Sequence, residues 1–372
     1  MFMDYEEKKR RQNLRVIASE AVMVLTIILT VIVLVLVVSG YWLNSNFEVE
    51  RQGLLQVSSV PTGSYVLIDG SEPSWFQRTN TSKMLPIGEH TVRVERDGYD
   101  SWEKTVSISE GLLFRLHYPR LFPLEREPEV VYDTLGVTKT FLSENHETLL
   151  LYSGDLSTLD TTLYEKIPET TPDLSIQMPD WQEIDLNSDA PEPRIMTLRN
   201  LYSFFEKPEE PKEKKDPLEG YAVEREFAED DELLFSRFYE DNYLTVVSGQ
   251  TVSVFLKEKS EPVFEANLSF LPEETKPGHN GEFVTFFSAQ DVATLDMETM
   301  SLKKWNMDGI THGWIDNDMI YSVKEGELFV YDFDGLNRRS LAHNVSERFP
   351  VMITNDKWLY YFSDSKLIRE KL

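Results

Sequence analysis

Trp314-Ile315-Asp316-Asn317-Asp318-Met319-Ile320-Tyr321 and, after Ser322–Gly326, Glu327-Leu328-Phe329-Val330-Tyr331-Asp332-Phe333-Asp334-Gly335-Leu336-Asn337-Arg338-Arg339 form one legible unit. It reads as a strand, an Asp-rich hairpin, a second apolar strand and an Asp-Gly-Leu-Asn turn. Apolar runs of four to six residues bounded by Asp, Asn and Gly are short strands with chemically specified turns. This unit sets the expectation for the C-terminal two-thirds of the chain.

Its first strand recurs. Leu149-Leu150-Leu151-Tyr152-Ser153, Leu244-Thr245-Val246-Val247-Ser248, Phe283-Val284-Thr285-Phe286-Phe287-Ser288, Met319-Ile320-Tyr321-Ser322 and Trp358-Leu359-Tyr360-Tyr361-Phe362-Ser363 each run an apolar strand into a serine. The last four serines are 40, 34 and 41 residues apart. A period near 40 with several strands per unit predicts a β-propeller-like domain over 126–372. The Trp314–Arg339 unit resembles blades of TolB-like and YWTD-like propellers. The 95 residues between Ser153 and Ser248 must hold an unrecognised blade or a large insertion. Residues 166–219 contain eight prolines and the run Lys207-Pro208-Glu209-Glu210-Pro211-Lys212-Glu213-Lys214-Lys215, which predicts a largely flexible, acidic and Pro-rich insertion. Within it, Ile195–Phe205 is apolar enough for one ordered strand or helix.

Between residues 53 and 122 the pattern changes to denser, shorter strands. Leu55 and Val57 alternate with polar residues, Tyr65–Ile68 is a second strand closed by Asp69-Gly70, and His90–Glu95 and Trp102–Ile108 are two more. Such density predicts a small β-sandwich. Val57-Ser58-Ser59-Val60-Pro61-Thr62-Gly63-Ser64, Ile68-Asp69-Gly70, Leu85-Pro86-Ile87-Gly88-Glu89-His90, Gly98-Tyr99 and Trp102 together resemble a PEGA domain. The name-giving turn here reads Pro61-Thr62-Gly63-Ser64, without the Glu and Ala. The resemblance implies a noncatalytic β module of prokaryotic surface and envelope proteins, and it brings no active-site residues.

Ala21–Val38 has no charged residue, and at about 1.5 Å per helical residue it reaches close to the ~30 Å of a hydrocarbon core. With Tyr41 and Trp42 at headgroup level, residues 21–43 are predicted as a transmembrane helix and membrane anchor. A cleaved signal peptide is the rival, although its apolar region would be shorter. Lys8, Lys9, Arg10, Arg11 and Arg15 precede the span, which predicts a cytoplasmic tail at 1–20 and a single-pass protein of the plasma membrane with an extracytoplasmic C-terminal ectodomain.

Charge and composition exclude several classes of function. The first 20 residues hold five basic and four acidic groups, leaving 32 basic and 60 acidic residues and a balance of −28 for the rest. Nucleic-acid binding would face phosphate repulsion and is not expected. With no cysteine, disulfides, thiol nucleophiles and cysteine-ligated metals are impossible. The six histidines (90, 117, 146, 279, 312 and 343) never fall at metal-binding spacing, and there is no Gly-x-Ser-x-Gly, Walker or dinucleotide motif. No catalytic or cofactor-binding residue is therefore expected, and no cofactor.

The weak metal candidates are Asp332, Asp334 and Asn337, which look like the first half of an oxygen-ligand calcium loop. The twelfth position from Asp332, however, is His343 rather than a closing glutamate. A hairpin turn explains the same residues. Trp305, Trp314, Trp358, Tyr360 and Tyr361 read as packing between blades, or as a ligand-binding face. The expectation is a non-enzymatic envelope protein binding a protein or cell-wall glycan partner. The alternatives are a sensor acting through a separate signalling partner, and a hydrolase using a propeller's central channel.

Overall fold

The computed structural model describes residues 3–38, 41–43, 49–71, 78–143, 147–155, 177–204, 218, 220–223, 234–238, 242–278, 281–309 and 311–372. The chain divides into two compact units, Met1–Phe122 and Pro123–Leu372.

The first unit begins with helix α1, Met3–Val38. Its segment Ile17–Leu36 is long and apolar enough to cross a membrane and buries none of its residues in protein. Its two hydroxyls are satisfied within the helix. Thr26 donates to the Val22 carbonyl and Thr30 to that of Thr26, each at 2.8 Å, as an apolar surrounding requires. The helix stops at Val38, short of the expected end of the span at residue 43. Strand β1 (Tyr41–Leu43) pairs instead with β2 (Val49–Val57) through Tyr41↔Arg51, Trp42↔Glu50 and Leu43↔Val49.

β2 lies between β4 (Thr81–Pro86), antiparallel, and β7 (Leu113–Leu116), parallel. A second sheet has the order β3 (Tyr65–Ile68), β5 (Gly88–Glu95), β6 (Trp102–Ile108). Leu85-Pro86-Ile87-Gly88 is the corner at which the chain leaves the first sheet and enters the second. Pro86 is tolerated because β4 is an edge strand on the path β1-β2-β4. Leu55, Val57, Leu85 and Leu116 of one sheet, and Val66, Ile68, Val92, Val94, Trp102, Val106 and Ile108 of the other, are all buried. The alternating burial along β6 thus divides core from solvent. At Gly53, in the middle of β2, a Cβ would lie 2.4 Å from the Ser109 carbonyl oxygen and 2.6 Å from Ile108 Cγ2. Only a glycine lets these segments approach so closely.

The second unit is mainly β, with five four-stranded antiparallel sheets among the described residues. The first holds β9 (Lys139–Leu142), β10 (Thr148–Tyr152), β11 (Gln177–Asp185) and β12 (Arg194–Thr197). The second holds β13 (Leu234–Phe238), β14 (Tyr243–Ser248), β15 (Thr251–Leu256) and β16 (Phe264–Asn267). The third holds β17 (Glu274–Pro277), β18 (Phe283–Phe287), β19 (Asp291–Asp296) and β20 (Ser301–Asn306). The fourth holds β21 (Thr311–Trp314), β22 (Met319–Lys324), β23 (Glu327–Asp332) and β24 (Arg339–Ala342). In the fifth, β25 (Met352–Thr354), β26 (Trp358–Ser363) and β27 (Lys366–Lys371) come from the end of the chain, and the fourth strand, β8 (Glu129–Asp133), comes from the start of this unit.

The five repeated segments of the sequence are β10, β14, β18, β22 and β26, the second strand of each sheet. The serine register slips once. Ser248 and Ser363 end their strands at the hairpin turn, but in the fourth sheet Lys324 takes that place and Ser322 is buried two residues earlier. The second strands read as continuous apolar runs because both of their faces are covered. Val247, Val252 and Val254 of the second sheet share a core with Val284, Phe286 and Leu295 of the third. Leu149, Leu151 and Ile184 of the first sheet pack with Met352, Tyr360 and Phe362 of the fifth.

The expected insertion at 166–219 is narrower than its composition implied. It contains β11, β12 and helix α2 (Leu198–Phe204), so the described part of the apolar segment, residues 195–204, supplies part of a strand and then a helix. Leu201 of α2 is buried against Leu150, Tyr152, Trp181 and Met196. The parts expected to be flexible at 166–176, 205–217 and 219 lie outside the described residues.

Candidate binding surface

In the first unit, the Pro61-Thr62-Gly63-Ser64 turn is held from beneath by hydroxyls. Thr79 Oγ1 accepts from the amides of Gly63 (2.9 Å) and Ser64 (3.2 Å) and from Ser59 Oγ (3.0 Å). Ser64 Oγ donates to the Pro61 carbonyl at 2.9 Å. Ser59, Ser64 and Thr79 are all buried, so the turn is rigid and Thr62 and Gly63 are presented at its tip.

Beside this turn, the outer face of β3 and β5 carries a shallow depression of about 520 Å³ lined by Tyr65, Arg93, Glu95, Arg96, Asp97, Tyr99 and Ser101. Tyr65 and Glu95 are cross-strand partners, and Arg93 shares their face two residues earlier. The Arg96–Tyr99 turn closes through a Tyr99 N–H to Arg96 carbonyl bond of 3.1 Å, with Gly98 at φ 80°. It lays the Arg96 guanidinium over the Tyr99 ring at 5.3 Å while Arg96 donates to the Thr62 carbonyl at 3.1 Å. Arg78 is likewise over Tyr65, at 4.9 Å, and donates to its hydroxyl at 3.2 Å. Arg93 pairs with Glu95 at 3.4 Å. Arg78 and Arg96 are thus each held against a tyrosine ring.

At the opposite end of β5, His90 is held at both nitrogens. Nδ1 lies 2.7 Å from Asp69 Oδ2 and Nε2 lies 2.8 Å from the Pro86 carbonyl oxygen. A carbonyl and an ionised carboxylate only accept, so the arrangement favours the imidazolium. Burial opposes that charge, but the Asp69 and Pro86 bonds outweigh it and His90 titrates above its ordinary value. The bond from His90, followed by the Thr91 amide, holds the Asp69 carboxyl below its own. His90 is thus a fastener between the Asp69-Gly70 turn and β5.

In the second unit the structure does bring Asp332, Asp334 and Asn337 together, in the hairpin between β23 and β24. Asn337 donates its amide Nδ2 to Asp332 Oδ2 at 2.8 Å, and the Leu336 amide donates to Asp334 Oδ1 at 3.3 Å. The Gly335 amide closes the turn on the Asp332 carbonyl at 2.9 Å. Asn337 thus turns its amide nitrogen towards Asp332, an arrangement that suits a hairpin turn rich in Asp, Gly and Asn. A Cβ on Gly335, at φ 80°, would fall 2.4 Å from the Trp305 ring. Phe333 stacks on Phe283 at 4.1 Å, joining the fourth sheet to the third. Trp314, Tyr360 and Tyr361 are buried, so these aromatics serve the core.

Two cations stitch the ends of this unit together. Arg369 of β27 donates to Glu129 of β8 at 2.7 Å and to the Asp189 carbonyl at 2.8 Å. Arg126 donates to Glu370 at 2.8 Å, and Glu370 also accepts from the Tyr361 hydroxyl at 2.6 Å. Burial and then the neighbouring Glu370 carboxylate push the Tyr361 phenol far up. Neither arginine was singled out by the sequence, because partners about 240 residues apart leave no local pattern. The groups around the depression were equally inconspicuous, although Arg93-Val94-Glu95-Arg96-Asp97-Gly98-Tyr99 is unusually dense in Arg and Tyr around one turn.

No curated protein matches the chain. Among solved structures, a Saccharomyces cerevisiae assembly of a Dbp5 variant with Nup159 and Gle1 is 13% identical over 37% of this chain and 40% of its own, with a TM-score of 0.27. Kluyveromyces lactis Hsv2 is 10% identical over 63% of this chain and 59% of its own, at 0.30. The Listeria monocytogenes protein lmo1340 is 11% identical over 63% and 65%, at 0.26. The chain thus spans less than two-thirds of the length of each. Residues 52–119, the stretch that folds as the two facing sheets, match the PEGA domain.

Proposed function

We propose that this is a single-pass envelope protein with a cytoplasmic N-terminus, and that its extracytoplasmic part binds a protein or cell-wall partner without catalysis. In this reading the five sheets of Pro123–Leu372 are the blades of a five-bladed propeller. The observation that carries it is the pairing of β8 with β27, since an outermost strand borrowed from the start of the domain is what closes a ring of blades. The shared cores of the second with the third and the first with the fifth sheet support the same arrangement. Small sandwiches and rings of this kind are rigid supports whose surfaces and loops make contacts. The basic cluster before an apolar segment at Ile17–Leu36 supports anchoring with residues 1–20 inside.

The test is co-sedimentation of the detergent-solubilised full-length protein with purified cell-wall sacculi, with and without calcium. Saturable, calcium-independent pelleting is the expected result. Calcium dependence would make the Asp332–Asn337 turn a site. Absence of pelleting in both conditions would remove the wall-binding form of the reading and leave a protein partner.

A further inference from the structure

We propose that the depression on β3 and β5, bounded by Tyr65, Arg93, Arg96 and Tyr99, is a binding site for an uncharged oligosaccharide. The proposal rests on the wall-binding form of the function given above and names the surface and ligand chemistry for it. The first argument is charge. The unit that holds the depression is near neutral, with 13 basic and 14 acidic residues, and the four charged residues lining the depression cancel, Arg93 and Arg96 against Glu95 and Asp97. An anionic ligand would gain one or two guanidinium contacts here while meeting carboxylates in the same depression. A neutral, hydroxyl-rich ligand meets no such opposition.

The second argument is the kind of groups present. Vicinal sugar hydroxyls donate and accept in pairs, and planar guanidinium and carboxylate groups offer paired donors and paired acceptors. The depression holds both types, together with the rings of Tyr65 and Tyr99, which combine an apolar body with a polar tip. The third argument is preorganisation. Arg96 is fixed by the Thr62 carbonyl and the Tyr99 ring, and Thr62 belongs to the hydroxyl-buttressed turn. Ordering these side chains therefore costs a ligand little. The depression, about 520 Å³, falls within the roughly 300–1,000 Å³ of small-ligand sites.

The experiment is titration of the full-length protein in detergent with a β-1,4-linked N-acetylglucosamine tetramer, followed by intrinsic tyrosine and tryptophan fluorescence and by calorimetry. A poly-glutamate peptide is the competing probe. The tetramer is expected to bind and the peptide not to bind. Arg93→Gln and Tyr99→Ala are each expected to weaken the tetramer about tenfold. Arg93→Gln alters an exposed side chain, which keeps the test valid if Tyr99→Ala fails to fold. Absence of tetramer binding, equal binding by a folded Arg93→Gln protein, or tighter binding of the peptide would each overturn the proposal. Sacculus pelleting that persists unchanged in Arg93→Gln would keep the wall-binding function and move its site elsewhere. Loss of pelleting by the unaltered protein would instead remove the function itself.

Discussion

Met1–Phe122 and Pro123–Leu372 solve the same problem, a stable β unit without disulfides, with different charge. The first carries 13 basic and 14 acidic residues, a balance of −1, and the second carries 24 and 50, a balance of −26. The smaller unit is therefore close to neutral, and its surface can hold Arg, Tyr and carboxylate groups side by side. The larger one repels itself, and its stability depends on shared cores between sheets and on the buried Arg369 and half-buried Arg126 at the join of its two ends. Acidity of the whole chain is thus a property of one unit, and conclusions about ligands drawn from the total charge apply to that unit alone.

The two units should melt separately, and each contains a glycine that can be used to separate them. Gly335→Ala combines a left-handed backbone with a clash against the Trp305 ring and should cost the second unit about 2–4 kcal/mol, seen as a lower second transition in calorimetry. Gly53→Ala drives a Cβ into the Ser109 carbonyl and should cost the first unit about 1–3 kcal/mol. If either substitution lowered both transitions equally, the units would not be independent.

Loss of the partly buried pair at the join ranks next. Arg126→Met leaves the buried Glu370 carboxylate with the Tyr361 hydroxyl and without its cation, at a cost of about 1.5–2 kcal/mol to the second unit. The Arg126→Met, Glu370→Leu double variant should recover most of that loss. A double variant as unstable as the single one would show that the ion pair is not the source of the effect.

Salt and pH should distinguish the units more gently. Raising ionic strength from about 0.01 to 0.15 M shortens the Debye length and should stabilise the second unit, with its −26, more than the first. The pH effect belongs to the first unit. His90 has a raised folded pKa, so its contribution is complete below the unfolded value, about 6.5, and is lost as pH climbs through the folded one. Asp69 has a lowered folded pKa, so its share is complete above about 3.9 and is lost as pH falls through the lowered value. The pair is half exposed, and about 0.2–1 kcal/mol is expected. His90→Gln should flatten the alkaline limb of the first transition and leave the second unchanged.

The sequence was most informative where structure is local. Alternation in Trp102–Ile108 and the apolar runs before Ser153, Ser248, Ser288 and Ser363 gave the sheets, because strand periodicity and two-sided burial are written in neighbouring residues. What failed was registration. Ser322 was aligned by residue type, whereas its structural equivalent is Lys324, and residues 41–43 were assigned to a helix by their aromatics although they pair with β2. The turn character of Asp332–Asn337 was legible, since Asp, Gly and Asn each have a local reason to be there. The Tyr65–Tyr99 depression was not, because its members come from a strand end, a cross-strand neighbour and a turn.

The account rests most heavily on the meeting of β8 and β27, on which the proposed closure of Pro123–Leu372 depends. The chain has no native cysteine, so one pair of substitutions can test this without interference. Asp133 and Lys366 are cross-strand partners at the exposed end of the join, and Asp133→Cys with Lys366→Cys places the two thiols there. Mild oxidation of the full-length protein should give an intramolecular disulfide in the monomer and raise the second melting transition, reversibly on reduction. Failure to form it in the folded monomer, or crosslinking only between molecules, would contradict the closed arrangement.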